Sequence, residues 1–162
     1  MKKILLLCLT VGFIILSNKE ACAQSTYKNA IGGRFGAANG LTFKTFLNRE
    51  AALDFILNFQ SHKEYSDFRL TGLYELHKAF PDAAGLRYYY GAGATLGSRN
   101  YDARYDKSDN RLLLGIDGVL GLDYKFDELP LNVSFDWKPE IVLTDETRFD
   151  ASGVGLSIRF TF

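Results

Sequence analysis

The sequence predicts an all-β chain, with eight antiparallel strands in up-and-down order closed into a single barrel. Three observations carry this expectation. Eight segments alternate apolar and polar side chains with a period of two, as a strand with two different faces must. Turn-forming residues stand between those segments. Beyond residue 23, no stretch approaches the ~18 consecutive apolar residues of a membrane helix, so only a closed barrel could carry this chain across a bilayer.

The strands are expected at 28–36, 40–47, 51–60, 66–79, 85–97, 111–126, 130–143 and 151–162. The seventh is the plainest: Leu131, Val133, Phe135 and Trp137 alternate with Asn132, Ser134, Asp136 and Lys138. A helix, with its period of 3.6, would scatter those four apolar residues around its circumference. The turns are marked by Ala38-Asn39-Gly40, Asn48-Arg49-Glu50, Pro81-Asp82 and Asp127-Glu128-Leu129-Pro130. Connections at 48–50, 80–84 and 127–129 are short, whereas those at 61–65, 98–110 and 144–150 are longer and more polar. Only 37–39 departs from this asymmetry. Pro139 cannot donate to a strand ladder, so a bulge or an upper rim is expected there.

Residues 1–23 have the pattern of a cleaved signal peptide, leaving 24–162 as one barrel domain. Lys2 and Lys3 precede a thirteen-residue apolar run from Ile4 to Leu16, and Ala21-Cys22-Ala23 fits a cleavage site. The residues before Cys22 are polar where a lipoprotein signal would carry leucine. Cys8 and Cys22 both lie in this segment, so the remainder has no disulfide, cysteine nucleophile or thiolate metal site. Lys2, Lys3, Lys19 and Glu20 lie there too, which leaves 16 basic and 18 acidic side chains. A net charge near −2 is no footprint for nucleic acid.

The two faces of the strands differ sharply. One carries Ile31, Phe35, Leu41, Phe43, Leu53, Phe55, Leu57, Phe59, Phe68, Leu70, Tyr74 and Leu76. It continues through Leu86, Tyr88, Tyr90, Leu96, Leu112, Leu114, Ile116, Leu120, Leu122 and Tyr124, with no charge among them. The other carries Arg34, Lys44, Asp54, Arg69, Glu75, Arg87, Asp117, Asp123, Lys125, Asp136, Lys138, Glu140 and Arg159. Gly32, Gly91, Gly93, Gly115, Gly121, Gly153 and Gly155 share that second face with Tyr89 and Phe46. A soluble exterior has no use for so many strand glycines, each of which weakens its strand. A narrow closed interior requires small residues beside large ones. Charges inside and apolar residues toward lipid is therefore the expected arrangement. The alternative is a secreted, soluble, lipocalin-like barrel with the apolar face inward around an apolar ligand.

The final strand, GVGLSIRFTF, places Val154, Leu156, Ile158, Phe160 and Phe162 on one face and ends on an aromatic residue. With the signal-like segment and the alternating strands, the chain resembles the small eight-stranded outer-membrane β-barrels of the OmpA/OmpX type, a porin-like family. The resemblance implies a transmembrane barrel in a bacterial outer membrane, among outer-membrane lipids and lipopolysaccharide. It also implies that Phe162, Phe160 and Ile158 form the signal read by the barrel assembly machinery. It specifies architecture better than activity: a structural or porin-like role without catalysis.

Eight strands enclose a space that side chains can fill, so the thirteen interior charges should pair. Asp136 or Glu140 is expected to meet Arg159 or Lys138. A salt-bridged plug and a narrow ion path are both compatible with such a lumen. Some related barrels modify lipid A through a His-x-Ser pair with a carboxylate, and that motif is missing. His62 adjoins Ser61, while His77 shares a face with Glu75 and has no Ser or Thr spaced to complete a triad. The loop SRNYDARYDKSDN, residues 98–110, holds Asp102, Asp106, Asp109 and Asn110 without the spacing of a calcium loop. It reads as a solvated surface loop, or an adhesive one through Tyr101-Asp102 and Tyr105-Asp106. No motif calls for a cofactor or a metal.

Overall fold

The computed structural model describes residues 27–61, 65–101, 111–144 and 147–162. The signal-like segment 1–23, His62 and most of the 98–110 loop lie outside these residues.

Ten strand segments form one closed antiparallel sheet. They are β1 (Asn29–Gly36), β2 (Gly40–Phe46), β3 (Ala51–Ser61), β4 (Tyr65–Ala79), β5 (Leu86–Tyr101), β6 (Arg111–Lys125), β7 (Leu131–Trp137), β8 (Glu140–Val142), β9 (Arg148–Asp150) and β10 (Val154–Thr161). Successive segments pair antiparallel, except at β7–β8 and β9–β10, which run end to end. The ring closes where β10 pairs with β1, from Ala30 beside Thr161 to Gly36 beside Gly155. Physically these are eight staves, because β7 and β8 both pair with β6 and form one stave, and β9 and β10 form another. The eight-stranded up-and-down barrel expected from the alternation is the fold observed.

Two boundaries differ from the sequence reading. The fifth stave continues to Tyr101, well into the polar stretch from 98, because Phe68 to Tyr65 on β4 supply partners all the way up. The seventh is interrupted at Lys138-Pro139, as proline requires. Beside that break, Trp137 pairs with Val154 and Glu140 with Asp150, so Ala151-Ser152-Gly153 faces only Lys138-Pro139. The eighth stave thus carries one extra residue, a bulge. Lys138 N donates to Gly153 O at 2.7 Å, Gly118 N donates to Pro139 O at 2.9 Å, and Trp137 Nε1 donates to Ala151 O at 2.7 Å. Those bonds hold the interrupted region in place.

One end of the barrel has compact turns. Asn48 Oδ1 accepts from the amides of Glu50 and Ala51, at 2.9 and 2.8 Å, which makes the β2–β3 connection a side-chain-closed turn. Gly85, at φ +77°, turns the chain into β5. Tyr27 and Phe162 lie at this same end, where Asn29 and Phe162 exchange both backbone hydrogen bonds at 2.9 Å.

The outer surface is an apolar belt. Ile31, Leu41, Phe59, Leu112, Ile116, Leu120, Phe135 and Phe160 are each more than half exposed. Tyr74, Tyr88, Tyr90 and Tyr124 gather toward the short-turn end, and Lys78 pairs with Glu50 at its edge. An exposed apolar surface on every stave is far more than a water-soluble monomer presents, and it has the form of a barrel's lipid-facing band with its aromatic girdle. The lipocalin-like alternative needed this face inside, and the fold places it outside.

Candidate functional site: the barrel interior

Period-two alternation aims every second residue of each stave at the barrel axis, so the polar face of the sequence converges there. Arg34, Lys44, Asp54, Glu75, Asp117, Asp123, Asp136, Glu140 and Arg159 are buried. Arg69, Arg87, Lys125 and Lys138 sit nearer the two mouths and keep partial exposure. These groups fall into two clusters.

The lower cluster lies toward the short-turn end. Lys44 Nζ stands 2.7 Å from Glu75 Oε2, 3.6 Å from Asp54 Oδ2 and 3.9 Å from Asp123 Oδ1, and 4.3 Å above the Tyr89 ring. Arg159 donates through Nη2 to Asp54 Oδ2 at 2.7 Å, through Nη1 to Ser134 Oγ at 2.6 Å and through Nε to Thr42 Oγ1 at 3.0 Å. Thr42 in turn donates its hydroxyl proton to Asp54 Oδ1 at 2.6 Å. His77 meets Glu75 Oε2 at 2.9 Å and stacks on Tyr89, ring centroids 4.8 Å apart. At the mouth itself, Arg87 lies over Phe46 and Lys125 caps the carbonyls of Phe126 and Leu129.

The upper cluster begins with a two-pronged pair. Arg34 Nη1 and Nη2 donate to Asp136 Oδ2 and Oδ1 at 2.7 and 2.6 Å, and the Tyr89 hydroxyl donates to Asp136 Oδ2 at 2.9 Å. Above it, Lys138 pairs with Asp117 and reaches to 3.9 Å from Glu140, while Arg69 binds Glu140 at 3.1 Å and Asp67 at 3.3 Å. Thr95 donates to Asp117 at 2.6 Å and contacts Thr71 at 2.6 Å.

Ile56, Leu73 and Val119 pack with the Tyr89 ring on the β3–β6 side of the lumen, all at most 5 % exposed, while the inward residues of the other staves, Arg34, Thr42, Ser134, Asp136 and Ser157 among them, are polar. The sequence reading missed this apolar cluster, and its signal was present. Phe55-Ile56-Leu57, Leu73-Tyr74 and Val119-Leu120 break the alternation with consecutive apolar residues, which is how a strand buried on both faces reads.

The pairing differs from expectation as well. Lys138 does approach Glu140, but Arg159 pairs with Asp54 and Asp136 pairs with Arg34. These partners sit on staves that are not adjacent. In a narrow barrel the inward side chains converge on the axis, so a long guanidinium crosses the lumen more easily than it bends toward its neighbour. Glycines make room for this. A Cβ at Gly155 would lie 2.3 Å from Arg34 Cζ, and one at Gly121 would lie 2.6 Å from Tyr89 Cζ. Each faces Asp136 across the ladder, so the two glycines create the space in which the Arg34–Asp136–Tyr89 contact forms.

An apolar exterior around an ion-paired interior, on eight up-and-down staves, defines the fold of the small outer-membrane β-barrels. Three solved structures share it. The N-terminal β-barrel domain of Pseudomonas aeruginosa OprF superposes with a TM-score of 0.64 at 18 % identity, covering 83 % of this chain and 95 % of that one. Neisserial surface protein A matches with a TM-score of 0.55 at 11 % identity, over 83 % of this chain and 93 % of its own. Ail, the attachment invasion locus protein of Yersinia pestis, matches with a TM-score of 0.53 at 12 % identity, over 83 % and 93 %. No protein-family model matches the chain, and no curated protein matches it in sequence.

Proposed function

We propose that this protein is an integral outer-membrane β-barrel with a structural role, non-enzymatic and closed to ions. The observation that carries the reading is a lumen packed with buried, paired side chains: Lys44 with Glu75, Arg159 with Asp54 and Arg34 with Asp136, beside the apolar cluster of Ile56, Leu73, Val119 and Tyr89. An ion crossing it would have to break buried ion pairs and leave their members without partners, which is costly. The likeness to three outer-membrane barrels supports the location. His77 is engaged by Glu75 and sandwiched by Phe46 and Tyr89, which favours a packing role over catalysis.

Purified protein reconstituted in a planar bilayer should give no unitary conductance steps. Steps whose ion selectivity inverts on charge reversal at Asp136 would overturn the closed reading and make the lumen a channel. In the same proposal, Phe162, Phe160 and Ile158 serve as the assembly signal of the last strand. Phe162 is 60 % exposed at the short-turn end, where an outside factor could reach it. Phe162→Ala should reduce the folded, heat-modifiable form recovered in outer-membrane fractions. Because Phe162 still exchanges backbone bonds with Asn29, refolding of this variant in detergent should be nearly unchanged. A normal membrane yield would remove the signal role.

A further inference from the structure

The rim opposite the short turns is not level. β1 ends at Gly36 and β2 begins at Gly40, which pairs with Asn58, while β3 climbs on to Ser61. On the other flank, Ala37 N donates to Val154 O at 3.0 Å, and the stave rises beyond Val154 through β9 to Arg148. β9 has β8 as its neighbour and nothing on its other side among the described residues. Between β9 and the top of β3 the wall therefore lacks two staves. The opening spans three inter-strand spacings, about 14 Å. A cavity of about 150 Å³ lies behind it, with Ala37 and Ala38 on the sill, Asn58 on one jamb and Asp150 and Val154 on the other. The upper lumen thus opens sideways.

This window faces the apolar belt. Phe59 and Phe68 flank it on one side and Ile141 and Phe149 on the other, each more than 40 % exposed. Both jambs carry bare backbone. Phe59 N makes the last bond to the β1–β2 turn, at 3.2 Å from Asn39 O. The next residue of β3 turned that way, Ser61, meets no strand there among the described residues. Across the gap, Pro139 O and Leu143 N bond to β6, so the even residues Glu140 and Val142 bond to β9 through Asp150 and Arg148. Phe149, between them, turns its N–H and C=O to the window. An open sheet edge does not persist against hydrocarbon, so a polar group must cover this one.

The charges define that group. The cavity wall carries three cations, Arg34, Arg69 and Lys138, against three carboxylates, Asp67, Glu140 and Asp150, so it favours no net charge. Arg148 and Asp150 share one face of β9, about 7 Å apart along the strand. Arg148 is exposed, and neither residue has an ion pair among the described residues. Asp150 Oδ1 accepts from the Ser152 amide and hydroxyl at 2.9 and 2.6 Å, which fixes the carboxylate at the jamb and leaves Oδ2 free. One cation and one anion at this spacing suit an occupant that carries both signs.

We propose that the window is a lateral docking site for the phosphoethanolamine headgroup of a membrane lipid. The phosphate accepts from Arg148 and from the Phe149 amide, and the ammonium donates to Asp150 Oδ2. The acyl chains stay outside, against Phe59 and Phe149. This goes beyond the structural role, which the bilayer recording tests separately.

The test uses the ¹⁵N-labelled barrel, folded in neutral maltoside micelles and titrated with dihexanoyl phosphatidylethanolamine. The Phe149 amide and the Arg148 Nε–H signals should move saturably, while the Gly85 amide at the far end stays still. Arg148→Gln and Asp150→Asn should each weaken binding about tenfold, the worth of one charge-assisted hydrogen bond. Ala38→Trp fills the window from its sill and should abolish the shifts, with the heat-modifiable gel mobility retained. Dihexanoyl phosphatidylglycerol has the same chains and phosphate but no ammonium, and should bind at least tenfold more weakly. Equal binding of the two lipids would overturn the proposal, as would undiminished binding in the Arg148 and Asp150 variants. Absence of any saturable shift would overturn it too, and would leave the bare edges to a protein strand.

Discussion

Replacing Arg159 by alanine should lower the unfolding free energy of the barrel by about 3–5 kcal/mol, the usual cost of removing one partner of a buried ion pair. Arg159 is fully buried, and its guanidinium binds Asp54, Ser134 and Thr42. Its loss would leave Asp54 dependent on Lys44 at 3.6 Å and the Thr42 hydroxyl alone. The lower cluster holds two cations, Lys44 and Arg159, against Asp54, Glu75 and Asp123. Removing one cation therefore deepens an existing acidic excess. Asp54→Asn on the Arg159→Ala background restores the original balance and should recover part of the lost stability. Urea unfolding in detergent micelles, followed by tryptophan fluorescence from Trp137, measures both variants. A water-filled lumen would screen Asp54 and reduce the single-variant effect to a few tenths of a kcal/mol; that result would reject the packed interior.

The second large effect is expected outside. Ile116→Arg, and separately Leu156→Arg, should each cost about 2–4 kcal/mol in a lipid bilayer, the range for a cation at the midplane of a barrel's lipid face. Ile116 lies near mid-height of β6 and is 51 % exposed; Leu156 lies between Phe35 and Phe135 on β10. Leu129→Arg is the matched control, because Leu129 is equally exposed but lies in the turn between β6 and β7. Since an arginine near the interface costs ~0–1 kcal/mol, the difference between these sites measures depth in the membrane. Equal penalties at Ile116 and Leu129 would mean that the belt does not face lipid.

Much of this architecture was legible in the sequence, because a barrel's two solvents differ as strongly as any in biology. Lipid on one side and a packed polar lumen on the other impose alternation on every stave. The strand set 131, 133, 135, 137 against 132, 134, 136, 138 therefore fixed its own orientation. Pro139 likewise announced the break between β7 and β8. What escaped the reading depends on curvature. Strand alternation says that Arg159 points inward but not how far across the lumen it reaches, so Asp54 three staves away was not foreseen as its partner. Ile56, Leu73 and Val119 were absorbed into adjacent apolar runs, although an apolar residue on the polar face marks a place where side chains pack on one another inside the barrel. A cavity of about 150 Å³ was invisible for a related reason: its walls include Arg34, Asn58, Arg69 and the bulge at Ser152-Gly153, which come from four separate staves.

The seam at which the barrel closes also bears on how quickly it can form. β1 and β10 are brought together from opposite ends of the described chain, with Ala30 beside Thr161 and Asn29 beside Phe162. Every other ladder of the ring joins strands close in sequence, so those hairpins can form early and locally. The last ladder must meet nearly the whole loop-closure entropy in one step, and contacts this non-local are the slow ones in folding. Until it forms, the curled sheet has two raw edges, each a row of unpaired amides and carbonyls able to recruit another chain. The vulnerable species is thus a nearly complete, unclosed sheet rather than an unfolded polypeptide. A catalyst of insertion would gain most by holding the β10 edge until β1 arrives.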